Sequence, residues 1–299
     1  MMSQGLPFQY SEFVLLEVAT SVSESYPTEH VARYTNRERG GPTAAVMAYS
    51  NPNVAVTVVD MNEERIRRWQ SKHLPIHEPG LNDIVRIARD GTGDKSEADG
   101  TGSPRRQPNL FFSTDCSRHI ATADIVFLSV NTPTKSNGLG AGFATDISMF
   151  ESAARSVALV AKPGAVIVEK STVPCRTANM VYDIVSMRVL STQLTISDVQ
   201  QLKFHRPDVP FEVLSNPEFL AEGTAIADLL HPSRVLIGSL TTEKGREAAA
   251  KLASAYSWVP RSLIVTCDLF SSELSKLVAN AMLAQRVSSI NSISAICEK

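Results

Sequence analysis

Short apolar runs alternate with helix-patterned stretches along most of the chain. Val54 to Val59 (VAVTVV) has the β-branched, unbroken character of a strand buried on both faces, and it ends at Asp60. Leu110 to Phe112, Ile125 to Val130, Ala165 to Val168, Val213 to Leu214 and Val235 to Ile237 are further runs of this kind. Helical stretches fall between them: Thr43 to Tyr49, the polar Asn62 to Gln70, Thr145 to Ala161 and Val173 to Leu190. Strand alternating with helix predicts an α/β fold, a Rossmann-like doubly wound and mostly parallel sheet with helices on both faces. Ser271 to Glu298 reads as one long C-terminal helix with Leu274, Leu277, Val278 and Ala281 at helical spacing.

Three stretches break the pattern. Residues 1–39 mix Ser, Glu and Arg without a strand or helix period. Asp90 to Pro108 and Thr192 to Pro210 read as loop inserts, the first rich in Gly, Ser and charge. The domain organisation read from this is an atypical segment 1–39, a nucleotide-binding unit 40–268 with inserts 90–108 and 192–210, and from 269 the start of a connecting helix.

The stretch Ser215 to Ala225 (SNPEFLAEGTA) concentrates chemistry where a strand gives way to a loop. Its Asn-Pro step disfavours helix at Asn216 and marks a turn. Glu218 and Glu222 flank Phe219, Leu220 and Ala221, so backbone and carboxylates can grip a polar ligand together. Strand ends are where α/β proteins place ligands.

Other strand ends repeat the design. Asp60, closing VAVTVVD, suits hydrogen bonds from ribose hydroxyls; an ordinary strand-end Asp capping the next helix fits the same residues. In SVNTPTK (Ser129 to Lys135), Val130, Asn131, Thr132, Pro133 and Thr134 suit contact with ribose or phosphate, or make a stiff polar turn. In EKSTVP (Glu169 to Pro174), Ser171, Thr172 and Val173 are equally placed, and Thr172 is alternatively a helix N-cap with Pro174 opening the helix. Lys276 and Asn280 share one helix face with Glu273. They can point at one substrate oxygen and stabilise negative charge, or form a solvated Glu-Lys face.

A glycine turn for a pyrophosphate should lie upstream of Asp60. There the chain reads Thr35 to Thr43 (TNRERGGPT), with Thr35 and Arg37 where the first two glycines are expected and only the end of the turn, from Gly40, in place. The strand before it would be His30 to Tyr34 (HVARY), too polar for a central parallel strand. The first strand and glycine turn are therefore expected to be altered. Loss of that strand would expose two strand edges and leave a core gap.

The chain has 299 residues, 43% hydrophobic and 20% charged, with a net charge of -2. That balance gives no attraction to nucleic acid or an anionic membrane, and no run approaches a membrane span. Cys116, Cys175, Cys267 and Cys297 lack metal or disulfide spacing, so free thiols in the cytoplasm and no metal site are expected.

Together the motifs VTVVDMNEERI, LPIHEPGL, LFFSTD, DIVFLSVNTPTK, EKSTVP, VLSNPEFLAEGTAI, RVLIG and SSELSKLVANAMLAQRVSSINSISAICE resemble the UDP-glucose dehydrogenase family, its eukaryotic branch above all. The resemblance runs from about Gly40 to Glu298. It implies oxidation of UDP-glucose to UDP-glucuronate in two hydride transfers to NAD. It further implies that Gly40, Asp60, Arg65, Val130 to Thr134, Ser171 to Val173 and Glu222 line NAD. Glu218 to Glu222, Lys276 and Asn280 would contact the UDP-sugar. Glu218 becomes a general acid/base, Lys276 and Asn280 hold the reacting oxygen, and Thr172 positions a water with Glu218.

The same comparison carries departures. The family's nucleophile is a cysteine in a GGxCFxKD segment, and this sequence stops at Lys299 before one; Cys297 belongs to the helix pattern. The family's second, uridine-closing domain also lies beyond it. The chain by itself is expected to make negligible UDP-glucuronate. A non-catalytic role, pairing through the final helix with an intact homologue or itself, is the alternative. Residues 1–39 are expected to stem from an altered first exon, which the transcript's 5′ end would check.

Overall fold

A computed structural model describes residues 12–16, 40–92, 106–185 and 211–298. The described strands form one eight-stranded sheet in the order β3-β2-β1-β4-β5-β6-β7-β8. They are β1 (Glu12–Leu16), β2 (Ala55–Val59), β3 (Leu110–Ser113), β4 (Ile125–Leu128), β5 (Val166–Glu169), β6 (Glu212–Ser215), β7 (Val235–Ser239) and β8 (Ile264–Asp268). The first six are parallel in the doubly wound order. β7 runs antiparallel to β6, paired only at Ser215 and Gly238, and β8 is parallel to β7.

The helices are α1 (Gly40–Ser50), α2 (Glu63–Gln70), α3 (Leu81–Asp90), α4 (Cys116–Thr122), α5 (Ser148–Val160), α6 (Thr177–Val185), α7 (Ala225–Leu230), α8 (Glu243–Ala255) and α9 (Leu269–Cys297). They cover both faces, giving two core layers. One contains Phe13, Leu15, Val56 and Val58 with α1 and α3; the other contains Val14, Val126, Leu128 and Ile167 with α5. The expected doubly wound sheet and long final helix are both present.

The centre of the sheet corrects the sequence reading. Glu12–Leu16, inside the segment set apart as atypical, lies between β2 and β4 and pairs with both. A central parallel strand must be apolar on both faces. EFVLL meets that demand: Phe13 and Leu15 enter one layer and Val14 the other. The strand assigned to His30–Tyr34 and the glycine positions at Thr35 and Arg37 lie outside the described residues. The expected core gap is filled. β1 is also tied at its start, where Asp124 donates its N–H to the Glu12 carbonyl (3.0 Å) and Thr122 its hydroxyl to Glu12 Oε2 (2.6 Å).

Local signals explain the neighbouring helices. Asn62 caps α2 by accepting from the Arg65 N–H, with Glu63 and Glu64 in the first turn and Arg67 and Arg68 in the last. In α1 every residue from Gly40 to Ala48 is buried. Gly41 has no room for a side chain, since a Cβ there would fall 2.0 Å from the Trp69 ring. The carbonyls at the end of α1 are met by Arg106 and Asn109. Of the first insert, residues 93–105 lie outside the description, but its ends meet where Thr92 donates to the Arg106 carbonyl (3.1 Å). The second insert, residues 192–210, lies wholly outside it.

The placement of β1 is testable through Phe13, which is buried and meets Phe127 edge-on at 6.4 Å between ring centroids. Phe13→Ala is expected to cost about 3–5 kcal/mol, measured by chemical denaturation. An unchanged unfolding midpoint would remove Glu12–Leu16 from the core.

Candidate active site

The loop after β6 is held from both sides. The Asn216 N–H donates to the Glu169 carbonyl (2.8 Å), and its Nδ2 donates to the Leu236 carbonyl (2.8 Å). The Asn-Pro step then turns the chain, and Glu218 follows, buried. Its Oε1 accepts from the Thr43 hydroxyl in the first turn of α1 and faces Lys170 Nζ at 3.2 Å. Lys170, just past β5, is buried and also donates to Asn216 Oδ1 (3.1 Å) and Tyr256 Oη (3.3 Å). Burial works against the Lys170 ammonium, but Glu218 and Tyr256 outweigh it and raise its pKa above the ordinary lysine value. Burial likewise pushes the Tyr256 hydroxyl up, so it stays a neutral phenol.

Two cavities share this wall. One, of about 240 Å³, is lined by Ser129, Val130, Asn131, Thr132, Ser171, Thr172, Lys170, Glu218 and Asn280 among others. The other is lined by Phe219, Leu220, Arg234 and Tyr256 as well as Lys170, Asn216 and Glu218. The first cavity thus gathers the ends of β4 and β5, the β6 loop and α9. Its shape is fixed by the Thr132 hydroxyl donating to the Thr172 carbonyl (2.7 Å) and by Ser171 Oγ accepting from the Val130 N–H (2.8 Å).

Some sequence-derived residues fall elsewhere. Pro133 and Thr134 shape the next turn, where Asp146 donates to the Pro133 carbonyl and Thr134 bridges Thr145. Val173 is packed in the core beside Val130 and Ala178. Glu222 and Ala221 are exposed and line neither cavity. The chain turns away from the site around Gly223, which sits at φ 83° and donates its N–H to Glu78. Glu222 is therefore not brought beside Glu218.

Helix α9 reverses a simple amphipathic reading. Its polar residues Ser272, Glu273 and Lys276 are buried, while Leu274 and Val278 are exposed. The solvated Glu-Lys face is thereby excluded. Gly238 lets the helix approach β7, since a Cβ there would meet Ser272 at 2.5 Å. Lys276 lies over the Phe219 ring at 5.2 Å, and Arg234 over the same ring at 4.5 Å. Asn280, one turn further on, is exposed at the cavity mouth.

Glu273 caps α6, accepting from the Arg176 and Ala178 N–H groups. Thr172 is therefore not that helix's N-cap, and Pro174 precedes the first helical residue, Thr177, instead of opening the helix. Behind the cavity Glu169 is buried and neither of its carboxylate oxygens has a hydrogen-bond partner among the described residues. Burial first, and then the Glu273 carboxylate, push the Glu169 carboxyl well above its ordinary 4.5.

At the far strand end Asp60 is buried, accepts from the Asn62 N–H (2.8 Å) and pairs with Arg65. The helix cap itself is Asn62, which leaves Asp60 free of that structural duty. Burial outweighs these partners and raises the Asp60 carboxyl. Gly40 starts α1 against Leu15 and Ser129. Cys116, Cys175, Cys267 and Cys297 are unpaired, and Cys297 is exposed in the last turn of α9. No helix among the described residues is long and apolar enough to cross a membrane.

Sequence reasoning missed Lys170, Thr43 and Tyr256. The available signal was the charged pair Glu169-Lys170 closing the apolar run Val166 to Val168: a charge there has to be buried and matched.

Glu169 also yields a stability test. The fold keeps it neutral where the unfolded chain ionises, so the unfolded state binds fewer protons and stability falls as pH rises above 4.5 toward the folded-state value. Glu169→Gln removes that loss. Thermal melts at about pH 5 and pH 8 should show a shallower decline than the parent, with a midpoint at least about 2 °C higher at the upper pH. A parallel decline in both proteins would contradict the neutral assignment.

Comparison with known proteins accords with this geometry. Residues 39–257 match the model of the UDP-glucose/GDP-mannose dehydrogenase family, NAD binding domain. UDP-glucose 6-dehydrogenase 2 of Oryza sativa subsp. japonica is 50% identical over 260 residues, and UDP-glucose 6-dehydrogenase 1 of Arabidopsis thaliana is 48% identical over 260 residues. Each alignment covers 87% of this chain and 47% of the relative, so the chain spans about half the length of the curated relatives it matches. Among solved structures, a UDP-glucose dehydrogenase from Pyrobaculum islandicum superposes with a TM-score of 0.65 at 24% identity, covering 95% of this chain and 52% of that one. With the matched segment taking in α1 through α8, the chain belongs to the UDP-glucose/GDP-mannose dehydrogenase family and carries its NAD-binding domain.

Proposed function

We propose that the chain provides the NAD-binding half of a UDP-glucose 6-dehydrogenase, which oxidises UDP-glucose to UDP-glucuronate with two NAD. The observation that carries this reading is the convergence of Glu218, Thr172 and Asn280 on one strand-end cavity. The named relatives at 47–50% identity supply the substrate. The residues present fit a dinucleotide. A buried carboxylate, Asp60, closes β2 of a doubly wound sheet and keeps acceptor capacity for ribose hydroxyls, and Arg65 sits beside it. Val130, Asn131, Thr132, Ser171 and Thr172 would line the nicotinamide side. When bound, NAD accepts the hydride from the sugar carbon.

The protein's own groups handle the proton and the charge. Glu218 takes the proton of the reacting hydroxyl, or of a water it positions with Thr172. The Lys276 ammonium, next to the apolar Phe219 ring, stabilises the oxyanion left behind, and Asn280 donates to the same oxygen. Phe219 and Leu220 flank the sugar nucleotide. The free thiols fit a cytoplasmic setting. Glu12–Leu16 together with residues 40–268 make up the nucleotide-binding unit, and residues from 269 begin the connection onward.

A second reading rests on the outer face of α9, where Leu274, Val278, Met282, Leu283, Val287, Ile290, Ile293 and Ile296 are all exposed. Such a stripe favours association with a second copy. Light scattering should then give a dimer or larger that Ile290→Glu dissociates; a monomer in the unmodified protein would argue against it.

The main reading is tested in two arms. NADH titration should show Asp60→Ala binding about tenfold more weakly, the equivalent of about 1.4 kcal/mol. In an enzyme that joins this half to the remainder its relatives carry, NADH formation from UDP-glucose should fall about 10²–10⁴-fold in Glu218→Gln, with NADH affinity unchanged. Equal NADH affinity in the Asp60 variant would sink the cofactor assignment, and full turnover in the Glu218 variant would sink the catalytic one.

A further inference from the structure

Lys170 lies between the two cavities without a free hydrogen to offer either. Its ammonium has three donors, and three acceptors surround it: Glu218 Oε1 at 3.2 Å, Asn216 Oδ1 at 3.1 Å and Tyr256 Oη at 3.3 Å. A fourth, the Asn216 carbonyl, stands at 3.5 Å. The acceptors are themselves fixed. Asn216 Nδ2 is bound to the Leu236 carbonyl, and the Tyr256 hydroxyl donates to Asn216 Oδ1. The lysine is saturated and its cage is rigid, so it is poorly placed to bind a ligand itself.

What it does instead is visible on Glu218. Oε1 receives both Lys170 and the Thr43 hydroxyl. Oε2 accepts no hydrogen bond from the described residues, and Glu218 lines both cavities. The two carboxylate oxygens are therefore inequivalent: one anchored, one open.

We propose that Lys170 is a positioning residue which, with Thr43, pins Oε1 of Glu218 and presents Oε2 alone as the proton acceptor. The assignment rests on the reading of Glu218 as the carboxylate that exchanges the substrate proton. Charge is essential to it. A hydrogen bond alone would orient the carboxylate, whereas the buried cation is also its counter-charge. The titratable groups facing Lys170 are Glu218 and Tyr256, and the tyrosine stays neutral, so the carboxylate is the ammonium's counter-charge among the described residues.

The test follows the Glu218 carboxyl directly, by ¹³C NMR of glutamate-labelled protein, with its signal assigned by loss in Glu218→Gln. Lys170→Met removes charge and hydrogen bonds; Lys170→Gln removes charge and keeps a donor. Both should move the pH midpoint of that signal upward by about 1–3 units. If the methionine variant fails to melt cooperatively, the glutamine variant decides the matter alone. A midpoint unmoved in a folded Lys170→Gln protein overturns the proposal, because orientation without charge would then suffice. In an enzyme that joins this half to the remainder its relatives carry, Lys170→Gln should lower kcat by tenfold or more with KM for UDP-glucose within about twofold; an equal loss in KM overturns it too. Full activity in Glu218→Gln alongside a moved midpoint would instead defeat the catalytic reading of Glu218 and leave the lysine's hold on it standing.

Discussion

A full positive charge removed from water must be matched locally, and the site is organised around one such match. Desolvating an ammonium costs several kcal/mol, recovered only with good geometry and satisfied hydrogens. Lys170 achieves this by drawing acceptors from separate elements: Asn216 and Glu218 from the β6 loop and Tyr256 from the end of α8. Thr43 adds α1 through the shared carboxylate. Each partner comes from a place whose backbone is already fixed by the sheet. The polar cage thus transmits the rigidity of the parallel strands to a loop that would otherwise be free to move. Breaking one member of such a pair typically costs about 3–5 kcal/mol, because the survivor is left charged in the core.

A second buried charge arrangement sits directly behind the first. Glu169 and Lys170 are adjacent in sequence, and in an extended strand neighbours point to opposite faces. One face sends the ammonium toward Glu218; the other sends a carboxyl toward Glu273 of α9. Glu273 is occupied by two backbone N–H groups at the start of α6. Burial and that neighbouring carboxylate raise the Glu169 pKa well above its ordinary value. This pairing fixes the rotation of α9 about its own axis. With Ser272, Glu273 and Lys276 turned inward, Lys276 reaches the Phe219 ring and Asn280 the cavity mouth. The opposite side of the helix carries Leu274 and Val278, exposed in this structure.

Much of the sheet was legible because buried parallel strands are continuous apolar runs. β2, β4 and β5 announce themselves in VAVTVV, DIVFLSV and AVIV. β1 did not, since Glu17 shortens its apolar stretch and distance separates it from α1. β8 was missed because its residues are mostly exposed at the sheet edge, without a buried strand's signature. Within the site, residues of the strand-end loops were legible, as polar groups after apolar runs: Asp60, Asn131, Thr172, Glu218. Roles that depend on three-dimensional partners were not. The charged pair closing β5 hints that Lys170 is matched in the interior but not by which partners, and nothing local shows that Glu222, four residues from Glu218, has turned away. At α9 the helical spacing set Glu273 and Lys276 on a face apart from Leu274 and Val278, and the structure keeps that division, with the charged pair inward.

The connection between β1 and α1 shows which constraint places the nucleotide-binding end of the sheet. A strand-to-helix link in an α/β unit usually takes about two to six residues; here residues 17–39 intervene. The placement of α1 is carried by its packing. α1 buries every residue from Gly40 to Ala48, with Gly40 against Leu15 and Ser129 and Gly41 against Trp69. Those contacts hold the first turn of α1 where Thr43 meets Glu218, whatever the length of the link. The position of the helix N-terminus relative to the strand ends is thus a property of the packed core. The turn sequence governs only how closely a phosphate can approach it.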